Sequence, residues 1–381
     1  MIQITDKHSC CGCASCVQIC PEQCISFDED ERGFRYPEAN TKECINCGLC
    51  EKVCPFLNSK IASNPIKVIA AINPDDEIRI KSSSGGIFSI LGEYIINEGG
   101  VVFGASFDEN WEVRHTFTEN IAGIDAFRGA KYLQSLIGET FKQVKTFLLQ
   151  GRKVLFSGTG CQIAGLRLFL RKEYENLLTV EIACHGVPSP RVWREYLEKV
   201  TGGERVKVKS ISFRDKRCGW NGYGLSITSD NEDFYEKAET NLYMQAFLKD
   251  LCLRPSCDNC PSKHGASGSD IIIGDFWGVE NIYPEMYDNN GCSLVIVNSQ
   301  KGKNILEMLN IKEKSITYED GYRYNPCLVK SASQSRYASL FWHRFKNNGI
   351  RACKETLDVI NRKKLIRILM LLYSKLFLRN G

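Results

Sequence analysis

Short apolar runs alternate along most of the chain with segments whose apolar residues recur at helical spacing. Residues 66–72, 177–183 and 293–297 have the length and aliphatic content of buried strands. Residues 87–97 carry apolar side chains at intervals of three and four, and residues 190–200 begin with a proline, so both predict helices. Residues 238–251 are also expected to form a helix. Strands that alternate with helices in this way indicate α/β layering over the central part of the chain.

Bulk composition narrows the class of protein only a little. The chain has 381 residues, of which 43% are hydrophobic, and a formal net charge of +4. That length favours two or three domains, and the charge is too small to argue for nucleic-acid binding. The first residues lack the apolar region of an export signal, and we find no apolar run long enough to span a membrane. We therefore expect a cytoplasmic protein.

The 19 cysteines change this picture, because eight of them form one pattern twice within the first 55 residues. Each run has the spacing Cys-x2-Cys-x2-Cys-x3-Cys-Pro of bacterial ferredoxins. Three thiolates on a tight loop reach three irons of one 4Fe-4S cluster, and the fourth points to the other cluster. We assign cluster one to Cys10, Cys13, Cys16 and Cys54, and cluster two to Cys44, Cys47, Cys50 and Cys20. Disulfides and structural zinc fit this repeated spacing poorly.

The residues around the eight ligands carry three further expectations. Cys11 and Cys24 are spare thiols, packed or incidental and not ligands. Gly12 and Gly48 lie inside the loops, where the backbone passes close to inorganic sulfur. Residues 25–37 predict a hairpin between the two motifs.

Further cysteines in the second half of the chain predict a third cluster. Cys257 and Cys260 form a Cys-x2-Cys pair, which alone is compatible with zinc, a redox pair or chance. Cys161 and Cys184 follow two predicted strands and could approach this pair in space. We predict a third 4Fe-4S cluster on these four thiols, with Cys252 as an alternative ligand and a redox-active thiol as an alternative role for Cys161.

Two segments rich in serine and glycine precede predicted helices. They are Ser82 to Gly86, including Ser83, Ser84 and Gly85, and Ser157 to Gly160, including Gly158 and Thr159. Free amides at a helix N-terminus attract phosphate, although neither segment is a Walker A or dinucleotide fingerprint. Iron–sulfur clusters transfer single electrons, whereas organic substrates usually exchange a hydride. A flavin converts between the two, so we expect a flavin to bind at these segments. Lys131 is a candidate partner for an anion, and His185 a candidate proton donor.

At this point the motifs resemble a known family, the coenzyme F420 hydrogenase/dehydrogenase beta subunits. The matching stretches lie between about residues 60 and 330, and they are SSSGGIFS, KYLQS, SGTGCQIAGL, CHGVPS, LRPSCDNC and SDIIIGDFWG. The resemblance implies FAD with an iron–sulfur site beside it. It also implies flavin contacts at Ser83, Ser84, Gly85, Gly86, Lys131, Gly158, Thr159 and Gly160. It does not identify the substrate.

The expected architecture is an α+β ferredoxin domain fused to an α/β flavin-binding domain. Residues 1–57 form the ferredoxin domain, residues 65–150 and 151–330 the two parts of the flavoprotein domain, and residues 331–381 a helical tail. The basic, apolar segment from Arg362 to Arg379 predicts a helix that packs on the body or docks on an anionic membrane surface. Self-association into a homo-oligomer is a further expectation.

The main functional hypothesis is an iron–sulfur flavoprotein oxidoreductase. It exchanges electrons between a ferredoxin or another carrier and a soluble organic substrate, in either direction. One alternative is an electron-transfer beta subunit of a larger hydrogenase or formate dehydrogenase complex. Another is a metal-stabilised binding module without turnover.

Overall fold

The computed structural model of the chain describes residues 1–59, 64–230 and 232–377, with side chains throughout these ranges except at residues 206 and 367–377. The N-terminal region has two short helices and a hairpin: α1 (Ser15–Ile19), β1 (Ile25–Glu29), β2 (Arg35–Ala39) and α2 (Leu49–Lys52). The hairpin is antiparallel, and Ile25 pairs with Ala39. It lies between the two cysteine motifs, as the sequence predicts.

The body begins with strands and helices that alternate closely. In chain order they are β3 (Lys67–Ile72), α3 (Asp76–Lys81), α4 (Ile87–Asn97), β4 (Val101–Phe107), β5 (Val113–Thr118), α5 (Thr140–Leu149), β6 (Val154–Thr159), α6 (Gly160–Leu170), β7 (Leu177–Ile182) and α7 (Pro190–Val200). Helix α4 has the predicted bounds. Residues 157–159 were expected in a loop, but they continue strand β6, because each pairs with the end of β7.

The rest of the body adds a small sheet and the remaining strands. These elements are β8 (Val208–Asp215), β9 (Gly224–Ser229), β10 (Asp233–Lys237), α8 (Leu242–Leu248), β11 (Ile271–Asp275), α9 (Val279–Ile282), β12 (Ser293–Val297), α10 (Gln300–Glu307), β13 (Lys312–Ser315), α11 (Tyr318–Arg323), α12 (Ala338–Asn348) and α13 (Arg351–Phe377). Helix α8 is shorter than the predicted helix over residues 238–251, since Asn241 caps its start and the chain turns at Asp250 with a φ of 56°.

One eight-stranded mixed sheet joins the two predicted parts of the body. Its strand order is β13-β3-β12-β11-β7-β6-β4-β5. Strands β4, β6, β7 and β11 are parallel, and β3 points the same way because β12 is antiparallel to both β3 and β11. The segments that follow these five strands therefore meet at one edge of the sheet, the edge at which α/β proteins bind ligands.

The helical tail begins by packing against the body. Phe341 and Phe345 of α12 and Cys353 and Leu357 of α13 are buried in one cluster with aromatic residues of α7 and α8. Further along α13, Leu365 and Ile366 are exposed. The side chains of residues 367–377 and all of residues 378–381 lie outside the described residues, so membrane docking by the predicted helix from Arg362 to Arg379 stays a prediction. In the described part of the chain, no helix combines the length and hydropathy needed to cross a bilayer.

Two neighbouring leucines at the end of α5 test the packing of this body. Leu148 is buried against Phe141 and Val144, whereas Leu149 is largely exposed. We expect Leu148→Ala to lower the free energy of unfolding by about 2–5 kcal/mol, because it removes buried methyl groups and leaves a cavity. The matched change Leu149→Ala should cost less than about 0.5 kcal/mol. Urea unfolding followed by circular dichroism measures both, and equal losses would contradict this packing.

Candidate functional site

The first predicted ligand set, Cys10, Cys13, Cys16 and Cys54, is brought together at the inner side of the N-terminal region. Cys16 lies in α1, and Cys54 follows α2. Burial raises the pKa of Cys16, and the neighbouring thiols of Cys13, Cys10 and Cys54 raise it further. Buried thiols that crowd one another in this way become thiolates together only beside a positive charge, and the irons of a cluster supply that charge.

The second predicted set lines a cavity of about 350 Å³ at the outer side of the same region. Its members are Cys20, Cys44, Cys47 and Cys50. Cys24, which the sequence left as a spare thiol, lines the same cavity, and its sulfur lies 3.5 Å from that of Cys20. Cys47 is exposed, as is its neighbour Ile45. This set therefore lies close to the protein surface.

The third predicted set comes together at the carboxyl edge of the large sheet. Cys161 in the first turn of α6, Cys184 after β7, and the pair Cys257 and Cys260 all line one cavity of about 640 Å³. Among the described residues, no three Cys, His, Asp or Glu side chains are close enough to hold a single metal ion, and these thiols are spaced around the cavity instead. The donor set of four cysteines fits an iron–sulfur cluster.

The structure distinguishes these four thiols from the alternative ligand. Cys252 is fully buried in the hydrophobic cluster around Tyr243 and does not line the cavity. Sequence reasoning missed Cys327, which does line it. Lys263 donates to the carbonyl oxygens of Cys184 at 2.7 Å and Cys327 at 2.6 Å, so one ammonium ties both segments to the cavity wall. Only proximity in the fold singles out Cys327, since no motif surrounds it.

Cys11 connects the first and third sets. It lines the third cavity, and interaction with the thiols of Cys13 and Cys161 raises its pKa well above the usual value. In return, Cys11 and the hydroxyl of Thr159 lower the pKa of Cys161 to about 7, against the opposing effect of burial. The thiol that the sequence treated as incidental thus occupies the space between two ligand sets.

The Ser82 to Gly86 segment precedes α4, as predicted, and is held from several sides. Ser83 Oγ accepts from the amide of Ala130 at 2.6 Å, and Ser84 Oγ donates to the carbonyl of Cys292 at 2.7 Å. A Cβ on Gly85 would clash with the carbonyl oxygen of Ala71. Glycine is therefore required at position 85 by backbone packing, a reason distinct from the predicted phosphate contact.

Lys131 lies beside this segment, since it follows Ala130, whose amide donates to Ser83 Oγ. Its Nζ donates to the carbonyl oxygens of Phe127, Arg128 and Gly129 at 3.1 to 3.3 Å. Burial lowers the pKa of Lys131 to about 7. The pairing of Lys131 with a phosphate stays a prediction.

Other cations, which sequence reasoning missed, do contact the segment. Arg214 donates to the carbonyl of Ser83 at 3.2 Å and pairs with Asp275 at 2.7 Å. Lys216 donates to the carbonyl oxygens of Arg79, Ser84 and Asn290 at 2.7 to 3.1 Å, and burial lowers its pKa to about 7. Lys216 has no carboxylate partner within the described residues. The sequence shows these cations as a charged run at residues 214–217. Only the fold reveals that this run contacts Ser83, because the two segments are far apart in the chain.

The Ser157 to Gly160 segment lies elsewhere along the same sheet edge. Thr159 and Gly160 line the third thiol cavity, and a Cβ on Gly160 would lie 2.6 Å from Oε1 of Glu181. His185 lines this cavity as well, and its Nε2 is 2.5 Å from the carboxylate of Asp250. The structure thus groups Thr159, Gly160 and His185 with the cysteines and not with Ser83.

Polar contacts dock the N-terminal region onto this edge. His8 Nδ1 is 2.9 Å from Asp258, which lies between Cys257 and Cys260. Arg194 of α7 bridges Glu29 of the hairpin and Glu112 of the body. The amide of Gln134 donates to the carbonyl of Cys11 at 3.3 Å. These contacts hold the first thiol set against the third cavity.

Comparison with known proteins gives two family matches. Residues 151–320 match the family that comprises the C-terminal part of the beta subunit in coenzyme F420 hydrogenase/dehydrogenase. Residues 9–58 match the 4Fe-4S dicluster domain.

Individual relatives are distant. The chain is 21% identical over 360 residues to the coenzyme F420-dependent sulfite reductase of Methanocaldococcus jannaschii, covering 89% of this chain and 53% of that protein. It is 20% identical over 222 residues to one of the subunits of the F(420)H(2) dehydrogenase of Methanosarcina mazei, covering 54% and 63%. A chain of the F420-reducing [NiFe] hydrogenase complex from Methanosarcina barkeri superposes with a TM-score of 0.46 at 16% identity, covering 78% and 92%. The chain thus spans only about half to three-fifths of the length of the first two curated relatives.

Two cysteines on either side of Pro255 test the third ligand set. Cys257 lines the cavity, whereas Cys252 is buried in the hydrophobic cluster. We expect Cys257→Ala to lower the iron content of anaerobically purified protein by about four per chain, because one ligand of a cubane is lost. Cys252→Ala should leave the iron content unchanged. Iron and acid-labile sulfide analysis decides it, and equal iron in both variants would remove Cys257 from the site.

Proposed function

Because residues 151–320 match the family of coenzyme F420 hydrogenase/dehydrogenase beta subunits and residues 9–58 match the 4Fe-4S dicluster domain, we propose that this chain is an iron–sulfur flavoprotein oxidoreductase. It exchanges electrons between an external one-electron carrier and a soluble organic substrate. The observation that carries the proposal is the convergence of Cys161, Cys184, Cys257 and Cys260 on one cavity beside the first thiol set.

The cofactors proposed are three 4Fe-4S clusters, which transfer single electrons, and FAD, which exchanges one or two electrons and a hydride. The three thiol sets lie in an order that lets electrons pass from one set to the next. The second thiol set faces the surface, the first is packed against it through Cys16 and Cys54, and Cys11 lies between the first set and the third. The thiols of the first and third sets are partly or fully buried, which limits the access of water to them.

An anion is proposed to bind beside the Ser82 to Gly86 segment. Lys131 and Lys216 are partly buried there without a carboxylate partner in the described part of the chain, and their depressed pKa values express the cost of removing that charge from water. An anionic ligand would offset this cost, and helix α4 begins directly after Gly86 with its free amides at the same place. The pyrophosphate of FAD has the required charge.

Proton transfer to or from a substrate is assigned to His185. Its Nε2 faces Asp250, which holds the ring in one orientation, and the side chain is partly exposed at the mouth of the third cavity. A histidine side chain that a carboxylate holds in place is suited to pass a proton to or from a substrate. Lys131, whose pKa of about 7 also permits transfer, is the second candidate.

A second function is favoured by one observation at the outer cavity. Ile45 and Leu57, both about three-fifths exposed, lie on the cysteine-rich N-terminal region. Exposed apolar residues around a redox group suit a stable contact with another protein chain. The alternative is therefore an electron-transfer beta subunit of a larger complex, like the beta subunits for which the matched family is described.

Flavin binding is tested with two lysines close in sequence. Lys216 contacts the Ser84 carbonyl, whereas Lys209 is exposed and pairs with Asp230. We expect Lys216→Met to weaken FAD binding by roughly tenfold, because a charge-assisted contact is lost. Lys209→Met should bind FAD as the unchanged protein does. Fluorescence titration of flavin-depleted full-length protein with FAD gives both affinities.

The pH dependence supplies an independent check of the same residue. The Lys216 ammonium loses its proton as the pH rises through about 7, so FAD affinity should decrease above that pH in the unchanged protein. The decrease should be smaller in Lys216→Met. Unaltered affinity in Lys216→Met at every pH would place the phosphates elsewhere, and a chain that retains its iron but binds no FAD would favour the beta-subunit alternative.

A further inference from the structure

Arg254 lies between the first and third thiol sets and is only 1% exposed. Its Nε donates to the carbonyl of Cys10 at 2.8 Å, and its Nη2 lies 3.6 Å from the Cys10 sulfur. On its other side Arg254 lines the third cavity with Cys161 and Cys257. One guanidinium thus contacts a predicted ligand of one cluster site and forms part of the wall of another.

The remaining contacts of Arg254 are neutral. Nη1 donates to Oε1 of Gln134 at 3.0 Å and Nη2 to the carbonyl of Arg35 at 2.9 Å, while Tyr36 and Phe34 present their ring faces. Within the ranges that the structure describes, no carboxylate pairs with it. Burying an arginine without a counter-charge is costly, so a negative group has to lie nearby in the functional protein.

The groups of both ligand sets that face Arg254 are thiols. The Cys10 sulfur lies 3.6 Å from Nη2, and Cys161 and Cys257 line the third cavity together with the guanidinium. A fixed positive charge close to thiolate ligands favours their negative charge. Arg254 therefore favours negative charge in both ligand sets at once.

The glycine at position 12 makes this placement sterically possible. Gly12 has a φ of +71°, and a Cβ there would lie 2.9 Å from Nη1 of Arg254 and 2.5 Å from Nε2 of Gln134. Sequence reasoning attributed this glycine to the approach of inorganic sulfur. In the structure, the close neighbours at Gly12 are the guanidinium and the Gln134 amide, so the cluster loop is shaped around Arg254.

We propose that Arg254 sets the reduction potential of the iron–sulfur groups held by the Cys10 set and the Cys161 set, and keeps the two close in potential. The proposal rests on the proposed function. Uptake of one electron from a low-potential donor adds one negative charge to a site, and a fixed positive charge beside it favours that reduced form. None of the hydrogen bonds of Arg254 reaches the second thiol set. The reduction potential of that set therefore serves as the internal reference.

The test uses anaerobically purified full-length protein and redox titration monitored by electron paramagnetic resonance. Arg254→Met removes the charge, and Arg254→Lys keeps it. Gln134→Glu keeps the size of the side chain and places a carboxylate on the guanidinium, which covers the case in which Arg254→Met does not fold. Arg194→Met removes a contact between the hairpin and the body without a charge that faces the thiols, and so controls for looser docking.

In Arg254→Met and Gln134→Glu we expect the ratio of reduced to oxidised form to fall about tenfold at fixed potential, or about 59 mV per electron, at two of the resolved sites, while the third site keeps its potential. Arg254→Lys should show a smaller shift, and Arg194→Met none. Unchanged potentials in both Arg254→Met and Gln134→Glu, or an equal shift in Arg194→Met, would overturn the proposal. Iron analysis of the unchanged protein separates this outcome from failure of the proposed function, which would appear as missing iron.

Discussion

The parallel strands of the large sheet impose the constraint on which the candidate site depends. Because β3, β6, β7 and β11 all end at one edge, the residues that follow them meet there, although they are far apart in sequence. This edge receives Ser83 after β3, Cys161 after β6, Cys184 after β7 and Asp275 in β11. Each segment alone is an ordinary turn. Their common edge makes them parts of one site.

The N-terminal region forms the other half of the candidate site, and charged side chains hold it in place. Arg254 and His8 hold it against the thiol cavity, and Arg194 holds its hairpin against the body. Two cations lie at the two ends of the edge: Arg254, which is buried beside the thiols, and Lys216, which is partly buried beside Ser84. Both lack carboxylate partners in the described ranges. Both positions therefore favour anionic groups, in keeping with thiolate clusters at one and a phosphate at the other.

The features of the fold and of the candidate site that depend on a short stretch of sequence were predictable. The two ferredoxin motifs, the hairpin between them and helix α4 follow from spacing and apolar period alone. The choice of Cys161 and Cys184 over Cys252 needed the fold, because sequence distance does not reveal that Cys252 is packed behind Tyr243. The roles of Cys11, Arg214 and Lys216 could not be read from the chain, since each depends on contacts with residues far away in sequence.

The third thiol set is the central claim, and iron-edge anomalous diffraction from anaerobically grown crystals tests it most directly. The account predicts three groups of anomalous density: one among Cys20, Cys44, Cys47 and Cys50, one among Cys10, Cys13, Cys16 and Cys54, and one among Cys161, Cys184, Cys257 and Cys260. Density confined to the two N-terminal sets, with the cavity beside Cys161 free of iron, would contradict it.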